Sequence, residues 1–156
     1  MVAILLFLHI LCFAVAFMLT AGVGLLLKGV VASGASVRTI DTLLSVAKPL
    51  QVAGGILYLV TGALGVWLAA KEGFVPNTAW LIGVYLAYAV LIGIGLGIHA
   101  PWGARVSKLA RADAIAGDAV SPELAKALRS PMEKVANRLM TASLLVLTYL
   151  MIVKSD

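Results

Sequence analysis

Residues 2–27 read VAILLFLHILCFAVAFMLTAGVGLLL, an unbroken apolar stretch in which His9 is the one strongly polar side chain. A helix needs about 20 predominantly apolar residues to cross the hydrocarbon core of a bilayer. This stretch exceeds that length and therefore predicts a transmembrane helix. Because no basic segment precedes it and no small-residue cleavage site follows it, we expect a retained helix and not a signal peptide.

Three further apolar stretches have the same character, at about 50–70, 79–100 and 135–153. Only 12% of the chain is charged, against about 25% in a typical soluble protein. The short connection at 74–78, with its Pro76-Asn77 turn signal, makes the second and third helices antiparallel neighbours. The sequence thus predicts an all-α membrane protein: one transmembrane domain over 1–156, folded as an antiparallel four-transmembrane-helix bundle.

Polar sequence separates the first two apolar stretches and follows the third. Segment 29–49 is mixed, and Ser36 is a suitable cap for a short helix over about 37–47. Pro101 follows the third stretch, and proline disrupts a helix interior because it lacks an N–H and its ring clashes with the preceding turn. We therefore expect the third helix to end at Ala100.

The most polar part of the chain, residues 101–136, holds two further helix-start signals. Ser121 precedes Pro122, which suits the first helical position. Ser130 precedes a second start, with Glu133 placed three residues later to close a capping box. The fourth transmembrane helix is expected to follow from that second start. The basic stretch before it is expected to be a solvated, headgroup-facing loop, and the alternative interpretation is a docking surface for a partner.

The positive charges are distributed unevenly between the two ends of the bundle. Ten of the 12 Lys and Arg residues lie in or beside the two longer loops, between Lys28 and Lys48 and between Arg105 and Arg138. The other two are Lys71 and Lys154. Loops rich in Lys and Arg stay in the cytoplasm, so both longer loops are predicted to be cytoplasmic and both termini outside.

Helices in lipid associate through close packing of small residues and through polar contacts. Small residues recur at steps of three and four in the second stretch, and glycines are frequent in the third. We therefore predict helix-packing positions at Gly55, Gly62, Gly65, Gly93 and Gly97.

Ionisable residues inside a membrane span are candidates for function. Matching depths from the outer helix ends places His9 near Tyr85, Tyr88 and Tyr149, which predicts a polar aromatic pocket. One interpretation is a cofactor site in which His9 ligates a haem or a metal, or serves a proton or a quinone. The other is a neutral His9 that bonds a tyrosine or a carbonyl and holds helices together.

The remaining polar residues predict no catalytic constellation. His99 stands at the inner end of the third helix, roughly 20 Å from His9 in depth, so one iron cannot be bound by both. The carboxylates all fall in loops or at termini, and no nucleophile–base arrangement is visible. Cys12 is the single cysteine, which excludes an internal disulfide. The net charge of +5 comes without a nucleic-acid-binding motif, so we expect contact with anionic headgroups and no nucleic acid.

Several short motifs together resemble a known superfamily: Leu8-His9-Ile10-Leu11, Ala79-Trp80-Leu81, the basic loop, and Leu150-Met151-Ile152-Val153-Lys154. The chain resembles four-helix bacterial membrane proteins of unknown function related to the copper-resistance protein D family. It is more distantly similar to the membrane-bound, haem-containing protoporphyrinogen oxidase. His9 matches the early histidine that is associated with haem in the oxidase relatives, whereas the third helix here has no lysine, which those relatives have. The resemblance implies a multi-pass protein of the bacterial inner membrane, so the termini that the charge distribution predicts to be outside would be periplasmic.

Three functions are compatible with these features. The first is a non-catalytic accessory or assembly subunit of a larger membrane complex, of a redox kind, bound to other subunits or to a second copy. The second is a redox protein that binds haem b through His9. The third is a small transporter for a metal or a solute.

Overall fold

The computed structural model describes residues 1–76 and 78–153, and all of its secondary structure is helical. The helices are α1 (Val2–Ala32), α2 (Val37–Lys71), α3 (Ala79–Ile94), α4 (Ala100–Ala116), α5 (Pro122–Leu128) and α6 (Pro131–Val153). A π-helical segment, Gly95–His99, joins α3 to α4 without a break. Asn77, part of the predicted turn, and Lys154-Ser155-Asp156 lie outside the described residues.

Among the described residues, four helices are long and apolar enough to cross a membrane, as predicted. They comprise α1, α2, the continuous α3–α4 helix and the α5–α6 region. α1 has 31 residues and α2 has 35, so at about 1.5 Å per residue they are roughly 46 and 52 Å long. Because the hydrocarbon core is about 30 Å thick, both helices extend well beyond it.

The two halves of the bundle are helix pairs. α1 packs along α2 as a hairpin that turns at Gly34, where φ is +69°. α3 packs along α6. The pairs meet around a core of buried side chains from all four helices: Ala16, Tyr58, Val84, Leu91 and Leu147. α6 contributes least to the interior, since its buried residues are Ala136 and Leu147.

α2 is one continuous helix, which corrects the prediction of a short helix at 37–47 followed by a separate span. The predicted cap is confirmed, because the Ser36 hydroxyl accepts a hydrogen bond from the Thr39 N–H. Pro49 lies inside the helix and removes a backbone donor there. Buried Ile40 and Leu44 fix the segment before the proline against neighbouring helices, and this packing offsets the cost of the lost bond.

The third helix does not end at Pro101, which corrects a second prediction. The Ala100 N–H bonds the Gly95 carbonyl, five residues earlier, and α4 then continues to Ala116. A proline ring clashes with the carbonyl four residues before it, here that of Gly97. The wider π turn moves this carbonyl away, so the chain accommodates Pro101 without breaking the helix.

The polar stretch after Pro101 is not a solvated loop but part of a folded unit with its own core. Its buried residues come from four helices: Leu27, Val37, Ile40, Leu44, Val106, Ala110, Leu124 and Ala127. We call this unit the head: α4, α5 and the adjoining ends of α1 and α2. The Trp102 indole N–H donates to the Ala127 carbonyl at 2.9 Å, which ties α5 to α4. The predicted start of α5 is confirmed, with Ser121 accepting from the Leu124 N–H.

Asp118 connects the α4–α5 loop to the start of α2. Its carboxylate accepts a hydrogen bond from the Arg38 N–H at 2.7 Å, and a carboxylate at a helix N-terminus is favoured by the helix dipole. Asp118 has a φ of +66°, a conformation that Asn tolerates and Ala does not.

We expect Asp118→Ala to lower the free energy of unfolding by about 2 kcal/mol. Asp118→Asn should lower it by less than about 1 kcal/mol, because the amide oxygen still accepts. Urea unfolding of the detergent-solubilised protein measures both, and equal losses would show that the acceptor is irrelevant.

Candidate functional site

His9 lies in the interface between α1 and α2. It is 8% exposed, and its Nδ1 is 2.9 Å from the Thr61 carbonyl oxygen. A carbonyl only accepts, so Nδ1 carries the proton and a neutral ring has its lone pair at Nε2. Nε2 makes no hydrogen bond within residues 1–76 and 78–153. The arrangement fixes the tautomer and the orientation of the imidazole.

Gly65 makes room for this ring. A Cβ built on Gly65 would lie 3.0 Å from His9 Cε1, a tighter approach than side chains normally make. The imidazole therefore packs directly on the backbone of α2. Thr61 is also buried, and its hydroxyl donates to the Leu57 carbonyl at 2.8 Å.

One turn closer to the N-terminus of α2, Tyr58 and Tyr88 link three helices. The Tyr88 hydroxyl donates to the Tyr58 carbonyl, and a Cβ on Gly62 would lie 2.7 Å from that hydroxyl oxygen. The Tyr58 hydroxyl is 3.5 Å from Thr20 Oγ1. Phe13 meets the Tyr58 ring edge to face, with 6.1 Å between centroids. These contacts join α1, α2 and α3 in one partly polar seam.

The structure brings some of the predicted site residues together and separates others. Tyr88 and His9 pack against glycines three residues apart on α2, Gly62 and Gly65. Tyr85 and Tyr149 are 38% and 62% exposed, and neither bonds His9 in the described part of the chain. Tyr85 is turned outward because α3 directs Leu81, Val84 and Leu91 inward, and Tyr149 lies on α6, whose buried residues are Ala136 and Leu147.

Only some of the predicted packing glycines contact other helices. Gly62 and Gly65 meet side chains of other helices, whereas a Cβ on Gly55, Gly93 or Gly97 would meet nothing within 4 Å. Within one chain these three are therefore not packing positions. The residue before Gly55 takes that role: a Cβ on Gly54 would lie 2.8 Å from Thr20 Cγ2 and 3.2 Å from the Ala16 carbonyl oxygen.

A second polar cluster, at the other end of the bundle, was not predicted. His99 Nδ1 is 2.9 Å from the Glu133 carboxylate, and Asn137 Nδ2 donates to the same carboxylate at 2.7 Å. Ser130 does accept from the Glu133 N–H, but the carboxylate turns to His99 and Asn137 and does not close the capping box. His99 is the last residue of the π segment, and such segments are frequent at functional sites.

The other nitrogen of His99 is left without a partner. Nε2 is the buried side-chain polar atom that lacks a hydrogen bond among the described residues. A carboxylate on Nδ1 and a free Nε2 are also the outer-shell arrangement of metal-ligating histidines. However, no group of three or more His, Cys, Asp or Glu side chains that could hold a metal ion occurs in the described ranges.

The His99–Glu133–Asn137 cluster should contribute measurably to stability. Glu133→Leu leaves the His99 donor without its acceptor, and a buried unsatisfied group costs about 1–3 kcal/mol. Asn137 keeps the Glu133 backbone carbonyl as an acceptor. We expect a loss of about 2 kcal/mol in unfolding free energy. Glu123→Leu is the matched control, because Glu123 is exposed on α5 and surface changes stay within about 0.5 kcal/mol. If denaturant titrations gave Glu133→Leu and Glu123→Leu the same loss of unfolding free energy, the stabilising role of the cluster would be contradicted.

A groove runs along α6 on the side that faces α1. One concavity of about 380 Å³ is lined by Asn137, Arg138, Thr141, Ala142 and Leu145. A second of about 280 Å³ lies between α1 and α6, lined by Phe13, Phe17, Thr141, Leu144, Leu145 and Thr148. Both concavities are open to the surface and share Thr141 and Leu145, so they adjoin along α6, and we call them together the groove. Thr141 and Thr148 satisfy their hydroxyls on the carbonyls of Asn137 and Leu144 in their own helix.

Comparison of the chain with protein-family models, with curated proteins and with solved structures finds no match. The function is therefore argued from the geometry of this chain.

Proposed function

We propose that the protein is a non-catalytic accessory or assembly subunit of a larger membrane complex, and that the head binds its partner. The observation that carries the proposal is apolar exposure at the end of the head. Ile115 is 80% exposed and Val120 is 51% exposed, and both lie where α4 passes into the loop before α5. Contiguous apolar patches on a folded unit mark protein–protein contacts, and we propose that Ile115 and Val120 belong to one such patch.

Contact with lipid does not account for these two residues. α4 has 17 residues, so its far end lies about 25 Å from His99 along the helix axis. Arg105, Lys108 and Arg111 occupy the helix between them. Ile115 lies beyond these three charged residues and is therefore outside the hydrocarbon region. Contact with lipid acyl chains does not explain why its side chain is exposed.

The same charges predict which side of the membrane the head faces. Lys and Arg concentrate on the head and its flanks, and the positive-inside rule places such segments in the cytoplasm. Both termini then lie on the opposite side, which is the periplasm if the membrane is the bacterial inner membrane, as the resemblance to the copper-resistance protein D relatives implies. The partner surface accordingly faces the cytoplasm.

The test is purification in a mild detergent at native expression level, with and without Ile115→Asp and Val120→Asp together. We expect the native chain to co-purify with a membrane-protein partner in fixed stoichiometry and the double variant to lose it. Thr42→Asp, which adds a charge at an exposed position of the head on α2, should keep the partner. A native chain that purifies alone, or a partner that is indifferent to the double variant, would contradict the proposal.

A second candidate function rests on His9. Its Nδ1 donates to a backbone carbonyl and leaves Nε2 free, the outer-shell geometry that orients a ligating histidine. His9 would then hold a haem b through Nε2, and the haem would supply one-electron chemistry. The Thr61 carbonyl and the backbone at Gly65 hold the imidazole. The protein would therefore present the ligating ring to the haem in a fixed orientation.

The absorption spectrum of the purified protein tests this candidate. A Soret band that shifts or disappears in His9→Ala and persists in His99→Ala would support it. No Soret band, or a band that His9→Ala leaves unchanged, would exclude His9 as a haem ligand. Neither outcome depends on the partner test above.

A further inference from the structure

We propose that the groove between α1 and α6 is a binding site for an anionic phospholipid of the leaflet next to the head. The proposal concerns a different face from the partner surface at Ile115 and Val120, so either can fail alone. Three observations carry it: the charge at one end of the groove, its length, and the size of the side chains along its walls.

The charge is that of Arg138, which lines the groove at the end nearest the head. A guanidinium presents planar donors that suit a phosphate. Lys134 lies one helical turn earlier, on the same side of α6, and is exposed. The neighbouring amide is not an alternative donor, because Asn137 Nδ2 is bonded to the Glu133 carboxylate at 2.7 Å and to the Glu133 carbonyl at 3.0 Å. The polar end of the groove is therefore cationic.

The length matches one leaflet. From Arg138 to Thr148 the groove follows α6 for ten residues, or about 15 Å. This equals half of the hydrocarbon thickness of about 30 Å. A phosphate held at Arg138 would leave an acyl chain to run along the groove to about the bilayer midplane.

The walls favour an acyl chain over a helix. Phe13 and Phe17 form one side and Leu144 and Leu145 the other. Helices approach each other in membranes across Gly, Ala and Ser, whose small side chains allow close packing. The smaller Thr141, Ala142 and Thr148 also line the groove. The four large side chains nevertheless make its surface uneven, which suits a flexible hydrocarbon chain better than the regular face of a helix.

Native mass spectrometry of the delipidated full chain tests the site, with phosphatidylglycerol and phosphatidylcholine of identical acyl chains as probes. A cationic residue near the membrane surface strengthens binding to anionic lipid about fivefold, so we expect phosphatidylglycerol to bind about fivefold more tightly. Arg138→Gln should remove that preference while phosphatidylcholine binding stays unchanged. Arg105→Gln, an equal charge loss at an exposed position of α4, should keep it.

A second variant tests the acyl channel. Leu145→Trp fills the groove and should reduce binding of both lipids, whatever their headgroup. Equal affinity of the native chain for the two lipids, or a preference that Arg105→Gln removes as fully as Arg138→Gln, would overturn the proposal. A dimer of the native chain that Leu145→Trp dissociates would assign the groove to a second copy, and would also overturn it.

Discussion

Gly62→Leu is expected to lower the free energy of unfolding by about 3 kcal/mol or more, the upper part of the range for overpacked cores. The reason is the contact with Tyr88, because even a Cβ on Gly62 would lie 2.7–2.9 Å from three atoms of that side chain. The ring cannot yield without withdrawing its hydroxyl from the Tyr58 carbonyl. The change therefore separates α3 from α2. Denaturant titration in detergent micelles, followed by tryptophan fluorescence, measures the loss.

Gly55→Leu is the control for this prediction. A Cβ on Gly55 meets nothing within 4 Å, and leucine is a better helix former than glycine by about 0.8 kcal/mol. This variant should be as stable as the native chain or slightly more stable. Equal destabilisation by both variants would show that the loss comes from replacing any helical glycine and not from the Tyr88 contact.

Leu124→Ala is expected to cost about 2–5 kcal/mol, the usual range for removing a buried leucine side chain. Leu124 is fully buried in the core of the head, with Val37, Ile40 and Val106 around it. The damage should be concentrated in the head, because the bundle core around Tyr58 shares no residue with that cluster. Hydrogen exchange should therefore accelerate over 37–44 and 122–128, and much less around Tyr58.

Leu139→Ala is the matched change on the exposed surface of α6. It should alter unfolding by no more than about 0.5 kcal/mol and leave exchange in the head unchanged. If Leu124→Ala behaved in the same way, residues 101–128 would not form a packed unit, and the predicted solvated loop would be the better description.

The sequence predicts the membrane helices well and the head poorly, for one physical reason. Length and hydropathy alone identify a span, and all four were identified. The head depends on weaker signals within polar sequence. Val37, Ile40, Leu44 and Ala47 recur at helical spacing, and all are buried, so this pattern did mark an inward face. Its continuation through Pro49, and the passage of α3 through Pro101, required the helix packing and the π turn that only the fold supplies.

The candidate site was predicted in part because an apolar span gives little information about its own rotation. When nearly every residue is apolar, no contrast shows which face turns inward. His9 was identified because it is the exception in α1. The sequence predicts that Tyr85 faces the interior, whereas Val84, Leu91 and Ile94 are among the buried residues of α3. The His99–Glu133 pair was missed because it joins residues 34 positions apart, and because Glu133 also fits the local pattern of a capping box.

Cysteine accessibility tests the central claim most directly: a four-span bundle with the head on the opposite side of the membrane from the α2–α3 turn and both termini. In a Cys12→Ala background, Val75→Cys places a thiol in that turn and Thr42→Cys places one in the head, both at exposed positions and both outside the proposed partner surface. Spheroplasts treated with a membrane-impermeant maleimide should label Val75→Cys at once. They should label Thr42→Cys only after the membrane is permeabilised. Equal labelling of the two variants in intact spheroplasts would contradict the four-span arrangement, and labelling of Thr42→Cys alone would reverse its orientation.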